Sequence, residues 1–180
     1  GFYLLISARS LSIAHSEIFN ADVIAGWMLL NYTLALNGFS VINGYSDLLS
    51  PLLVAVGGDG VSTGWNTNLR IFSLERFAPE KRDGGSPPII RYLSSSLLNR
   101  IRFDELAALK TSFNQITNKL STDSLFEEDD LDRTNEILQT WQSLSAISKE
   151  FTNGTVAENL ELFLNKILKA TELYSKISTF

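Results

Sequence analysis

The sequence predicts an α/β protein: a parallel sheet built from strand–helix units, followed by an α-helical C-terminal region. Across residues 1–69, short apolar runs alternate with longer helical ones in the order β-α-β-α-β-α. Of the 15 basic and 20 acidic side chains in the 180-residue chain, that stretch holds only five, Arg9, Glu17, Asp22, Asp47 and Asp59, so most of it is interior. Its helix–strand loops are short and its strands too apolar to face water on either side, which favours right-handed crossovers into a parallel sheet.

The first strand spans Phe2–Ser7, an unbroken apolar run of the kind that fills a buried strand. A helix follows from about Asn20 to Asn37. Asn20 can cap it, and Asn37-Gly38 ends it with residues that tolerate a left-handed backbone before Phe39 restarts the chain. The second strand is Ser40–Asn43. A second helix, about Ser46 to Val56, has Ser46 and Asp47 as caps, but Pro51 removes a backbone donor beyond the first turn. That moves the helix start towards Ser50, with Pro51 at its first position. Gly57-Gly58 supplies the exit turn, Gly60–Thr63 is the third strand, and a third helix opens near Asn66.

Residues 1–78 therefore read as one domain and residues 79–88 as a Pro/Gly-rich linker, with three prolines, two glycines and no apolar periodicity. Residues 89–180 read as an extension of about three amphipathic helices. Leu98, Ile101, Leu106, Leu109, Phe113, Ile116 and Leu120 fall mostly three or four apart, as do Ile137, Leu138, Trp141 and Leu144, and then Leu160, Phe163, Leu164, Ile167 and Leu168. Thr155 and Glu158 fit a capping box for the last helix. The acidic run Glu127-Glu128-Asp129-Asp130 with Asp132 reads as the start of a helix over Leu131 to Ile147, where negative charge is favoured.

Composition closes off several classes of function. A formal charge of −5 excludes bulk attraction to nucleic acid or to an anionic membrane, so an anion site must be local. Arg70 to Lys110 carries eight basic residues against five acidic ones, with Tyr92 and Phe103 interleaved, and a surplus that small is read as a solvated face rather than a nucleic-acid surface. Without cysteine there is no disulfide or thiolate, and with His15 as the single histidine there is no multi-histidine metal cluster; no metal and no cofactor is assigned. The chain lacks a basic segment ahead of an apolar one and its longest apolar stretch, Ala21 to Leu36, is interrupted by Asp22, Asn31 and Thr33. The expectation is a cytoplasmic protein with no membrane span.

Two segments carry a resemblance: Ser40-Val-Ile-Asn-Gly-Tyr-Ser-Asp-Leu-Leu, then Val54-Ala-Val-Gly-Gly-Asp-Gly-Val-Ser-Thr-Gly-Trp. They resemble the last strand–helix units of a TIM barrel, where a strand ends in a Gly-polar turn, a short helix ends in Ala-x-Gly and Asp-Gly-Val opens the next strand. The resemblance covers roughly the first 75 residues and implies a partial parallel (βα) barrel, its last three strand–helix units, with the earlier half lying upstream of Gly1. A doubly wound sheet is the other reading. Among barrels the arrangement is similar to the tRNA-guanine transglycosylases. It departs from them at Ser62, which stands where that family carries its aspartate nucleophile, and in having no cysteine for a zinc site, so no transglycosylase activity is implied.

In a barrel the working mouth lies at the C-terminal ends of the strands. That selects Ser7, Arg9, His15 and Glu17 after the first strand; Asn43, Gly44, Tyr45 and Ser46 after the second; and Thr63, Gly64, Trp65, Asn66 and Asn68 after the third. Gly44 and Gly64 let a ligand approach the backbone, and helix starts at Ser46 and Asn66 direct N–H groups at an anion, against the plainer reading of turns and caps. Arg9 either binds an anionic substrate or pairs with Glu17, while His15 and Glu17 are the evident acid–base pair. The expectation is an enzyme fragment binding a small phosphorylated or nucleotide-like anion, its reaction class unassigned. The alternative is a binding or assembly module that uses the helical tail as a partner surface, and the open sheet edges also predict self-association.

Overall fold

A computed structural model describes residues 1–10, 12–64, 70–77, 89–126 and 132–179. The chain forms two compact units, Gly1–Pro88 and Ile89–Phe180. The 79–88 linker, the opening of a third helix near Asn66 and the acidic run 127–130 lie outside the described residues.

The first unit contains β1 (Phe2–Leu4), β2 (Ser7–Ala8), α1 (Ala14–Ile18), α2 (Ala21–Leu36), β3 (Val41–Gly44), α3 (Ser50–Ala55), β4 (Gly60–Ser62) and β5 (Phe72–Ser73). β1, β3 and β4 form one parallel sheet in that order, with Phe2 opposite Val41 and Ile42 opposite Gly60. β2 pairs with β5, also parallel. The sheet is open: among the described residues its strands do not close into a barrel. The Phe2–Ser7 run is divided between β1 and β2 rather than forming one strand, and β5 is followed by a 3-10 turn at Leu74–Phe77.

Local chemistry accounts for the elements. The Asn20 side chain accepts hydrogen bonds from the Asp22 and Val23 amides at the start of α2, and Gly38 takes a left-handed φ of 75° just beyond its end. Pro51 sits in the first turn of α3, with a 3-10 turn at Asp47–Leu49 leading in, so the helix begins at Ser50. At the N-terminal end of the sheet Asp59 accepts from the Val41 amide (2.8 Å) and its own amide donates to the Val41 carbonyl (2.9 Å), joining the starts of β3 and β4. Ala8, Ala14, Ile18, Trp27, Leu49 and Leu53 make the core.

Pleating divides the sheet into two faces. Val41 and Asn43 point to the helix-covered face and are fully buried, whereas Tyr3 and Ile42, adjacent in register on the opposite face, are 56% and 45% exposed. α2 is apolar nearly all round, and Leu29 and Leu36 on it are exposed as well.

The second unit begins with a hairpin that the apolar spacing did not predict. β6 (Arg91–Ser94) pairs antiparallel with β7 (Asn99–Arg102), and only then do α4 (Phe103–Ser112), α5 (Arg133–Lys149) and α6 (Val156–Ser178) follow. Leu98 and Ile101 thus belong to a turn and a strand, and Phe113, Ile116 and Leu120 lie beyond α4. The reason is period two: buried Ile101 stands between Arg100 and Arg102, which reads as a half-buried strand. Tyr92, Leu97, Ile101, Leu106, Ile116, Phe126 and Leu173 form this unit's core.

From α5, the Gln139 amide completes β6. Its Oε1 accepts from the Leu93 N–H and its Nε2 donates to the Leu93 carbonyl, both at 2.9 Å, as a neighbouring strand would. Asp132 caps α5, and Thr155 with Glu158 forms the predicted capping box on α6. No helix among the described residues is long and apolar enough to cross a membrane.

Candidate functional site

All three strands of the main sheet run the same way, so the segments after β1, β3 and β4 leave from one edge of it. Trp65, Asn66 and Asn68 lie outside the described residues. The remaining candidates fall into two groups.

The first group lies at the ends of β3 and β4 and is occupied with holding the fold. Asn43 is fully buried. Its Oδ1 accepts from Trp27 Nε1 (2.8 Å) and Asn31 Nδ2 (2.9 Å), and its Nδ2 donates to Asn31 Oδ1 (2.7 Å). Asn43 is therefore the polar pin between β3 and α2 and not a ligand contact. Ser46 is buried too: its amide donates to the Ser62 carbonyl (3.1 Å) and its hydroxyl meets that of Ser50 (2.8 Å), so its N–H is not directed at an anion. Gly44 is small because the Tyr3 phenol lies where a Cβ would stand. The Tyr45 ring packs edge-on against Phe72, with centroids 5.2 Å apart. Thr63 Oγ1 donates to Asp47 Oδ1 at 3.4 Å, and Gly64 is half-buried at the end of the described loop.

Backbone strain marks this turn. Tyr45 and Asp47 take φ values of 56° and 40°, left-handed conformations that cost non-glycine residues on the order of 1 kcal/mol or more. The hydrogen bonds of Ser46, set between them, hold the turn against β4.

The second group surrounds a cleft of about 430 Å³ lined by Ile6, Ser7, Arg9, Ser16, Glu17, Ile18, Asn20 and Val23. It lies just past the end of β1, beside β2, α1 and the first turn of α2. Glu17 is held twice by Arg9, through the guanidinium Nε to Oε1 (2.7 Å) and the backbone amide to Oε2 (2.8 Å). These bonds, the backbone one foremost, hold the Glu17 carboxyl below the usual carboxylate range. A carboxylate stabilised this way is a weaker proton acceptor.

His15 sits two positions from Glu17 on α1, a spacing that places side chains on different sides of a helix. Its ring stacks on Phe19, with centroids 4.5 Å apart, and is exposed to solvent. The structure does not bring His15 and Glu17 together as an acid–base pair; Glu17's partner is Arg9. That ion pair orients Arg9 without burying it, since its side chain is 89% exposed.

The sequence did not single out Ser16 or Asn20 as cleft residues, nor Trp27 and Asn31 as partners of Asn43. Asn31 carried a signal, being an amide inside the most apolar helix, which demands a buried hydrogen-bond partner. Ser16 carried none, because the cleft is made by the fold of α1 against β2. Among the described residues no group of three or more His, Asp or Glu side chains is placed to hold a metal ion.

No protein family matches the chain, and no curated protein or solved structure is significantly similar to it.

Proposed function

We propose that the first unit is part of a (βα)-barrel-type layer and that a small anionic ligand, phosphorylated or nucleotide-like, binds in the cleft beside Arg9. The observation that carries this reading is the Arg9 guanidinium itself, fixed by Glu17 through Nε yet open to solvent at the rim of the cleft. A guanidinium oriented in this way presents a planar fork suited to a phosphate or carboxylate. Ser7 and Ser16 line the cleft with their hydroxyls donating to the Ala8 and Ile13 carbonyls, and the cleft abuts the first turn of α2, whose dipole favours negative charge. The volume suits one small molecule. The uncovered Tyr3–Ile42 face supports the layer reading, because parallel sheets are ordinarily covered on both faces.

Titration with inorganic phosphate and with a nucleoside monophosphate, followed by amide chemical shifts, tests this. Saturable shifts at Ser7, Arg9, Ser16 and Glu17 are expected, with affinity falling at least about tenfold in Arg9→Gln and less in Arg9→Lys, which keeps the charge and loses the fork. Absence of saturation, or unchanged affinity in Arg9→Gln, overturns the reading.

A further inference from the structure

We propose that Asn153 is a site of spontaneous covalent modification, deamidating to aspartyl and isoaspartyl products in the turn that leads into α6. The chain contains three Asn-Gly dipeptides, Asn37-Gly38, Asn43-Gly44 and Asn153-Gly154. In each, glycine offers a peptide nitrogen with no side chain to obstruct it, so the sequence alone treats the three alike. The fold does not.

Asn43 is fully buried, its Nδ2 donates to Asn31 Oδ1, and Gly44 belongs to β3. Asn37 and Asn153 are both exposed, which leaves hydrogen bonding to separate them. Asn37 Nδ2 donates to the Thr33 carbonyl (2.7 Å), and the Gly38 amide donates to the Ala35 carbonyl (2.9 Å), so both reacting groups are held at the end of α2. Asn153 has no hydrogen bond to any described residue, and the Gly154 N–H has none either. In the reaction the Gly154 nitrogen bonds to Asn153 Cγ, closing a succinimide ring, and the side-chain nitrogen leaves as ammonia with the proton that Gly154 gives up. Water then opens the ring at either carbonyl, giving the aspartyl or the isoaspartyl chain.

The turn makes the two products differ. Asn159 Nδ2 donates to the Phe151 carbonyl (2.8 Å) and to the Gly154 carbonyl (3.2 Å), clasping the chain on both sides of Asn153. An isoaspartyl link routes the backbone through Cβ and adds an atom between those carbonyls, which loosens the clasp. An aspartyl link keeps the path and sets a negative charge ahead of α6, where the helix dipole favours it.

Incubating the full chain in mildly alkaline buffer, folded and in urea, and mapping its peptides by mass reads each site as a gain of one dalton. The urea sample supplies the unprotected rate of each site. Folding is expected to leave Asn153 close to that rate, to slow Asn37 by at least about tenfold because two hydrogen bonds must open first, and to slow Asn43 further. Asn153→Gln should remove the gain at that position. The Asn159 side-chain amide resonances should shift in the separated isoaspartyl fraction and stay in place in Asn153→Asp. A folded chain in which Asn153 is protected as strongly as Asn37, or an isoaspartyl fraction whose Asn159 amide is unmoved, overturns the proposal.

Discussion

Asn43 illustrates how a polar residue at a strand end can be structural. Its amide satisfies Trp27 and Asn31 in a site without water access, so removing it leaves two buried donors unpaired. Asn43→Ala is expected to cost about 2–4 kcal/mol in urea denaturation, and Asn31→Ala/Asn43→Ala less than the sum of the single changes, because the second deletion removes a group already orphaned. Additive costs would show that the two amides do not act together. Glu17 supplies a pH signature. Its folded pKa lies below the ordinary 4.5, so the Arg9 bonds add stability above the unfolded pKa, and this contribution is lost as pH falls through the folded value. A carboxyl ¹³C titration should place the Glu17 midpoint below 4.5 and return it towards that value in Arg9→Gln; an ordinary midpoint in the parent chain would contradict the pairing.

Among the elements, glycines distinguish tight packing from loose. A Cβ at Gly58 meets Asn43 Nδ2 and the Leu53 carbonyl, each at 2.8 Å, neither free to move, so Gly58→Ala should destabilise by about 1–3 kcal/mol. A Cβ at Gly44 meets only the far end of the exposed Tyr3 side chain, so Gly44→Ala should shift the Tyr3 ring resonances with little change in thermal midpoint. Equal losses at both sites would count against this account of the sheet faces. Thr155→Ala removes the Thr155 half of the α6 capping box and should cost about 1 kcal/mol by chemical denaturation. These elements were also where the sequence was most legible. Asn20, Gly38, Pro51 and Thr155 act through backbone chemistry that neighbours in the chain determine, and each stands where its chemistry predicts. The β6–β7 hairpin was not legible as a strand pair, because Leu98 and Ile101 fit a helical spacing and the Gln139 amide that completes β6 comes from 46 residues away.

Over the whole molecule, the parallel β1–β3–β4 layer was legible from apolar runs and short loops, while the site was legible only in part. Strand ends could be named from the sequence, but which of their side chains turn inward depends on packing between elements distant in the chain: Asn43 is claimed by α2, Ser46 by β4, and Arg9 stays open beside a cleft. Everything assigned to that cleft requires the strands to run the same way. The most direct measurement is the pattern of cross-strand proton contacts in an isotope-labelled sample. A parallel layer predicts amide-to-Hα contacts linking Phe2–Leu4 with Val41–Asn43 and Ile42–Gly44 with Gly60–Ser62, each in ascending register. Close Hα–Hα pairs between those segments in descending register, the mark of antiparallel strands, would contradict it.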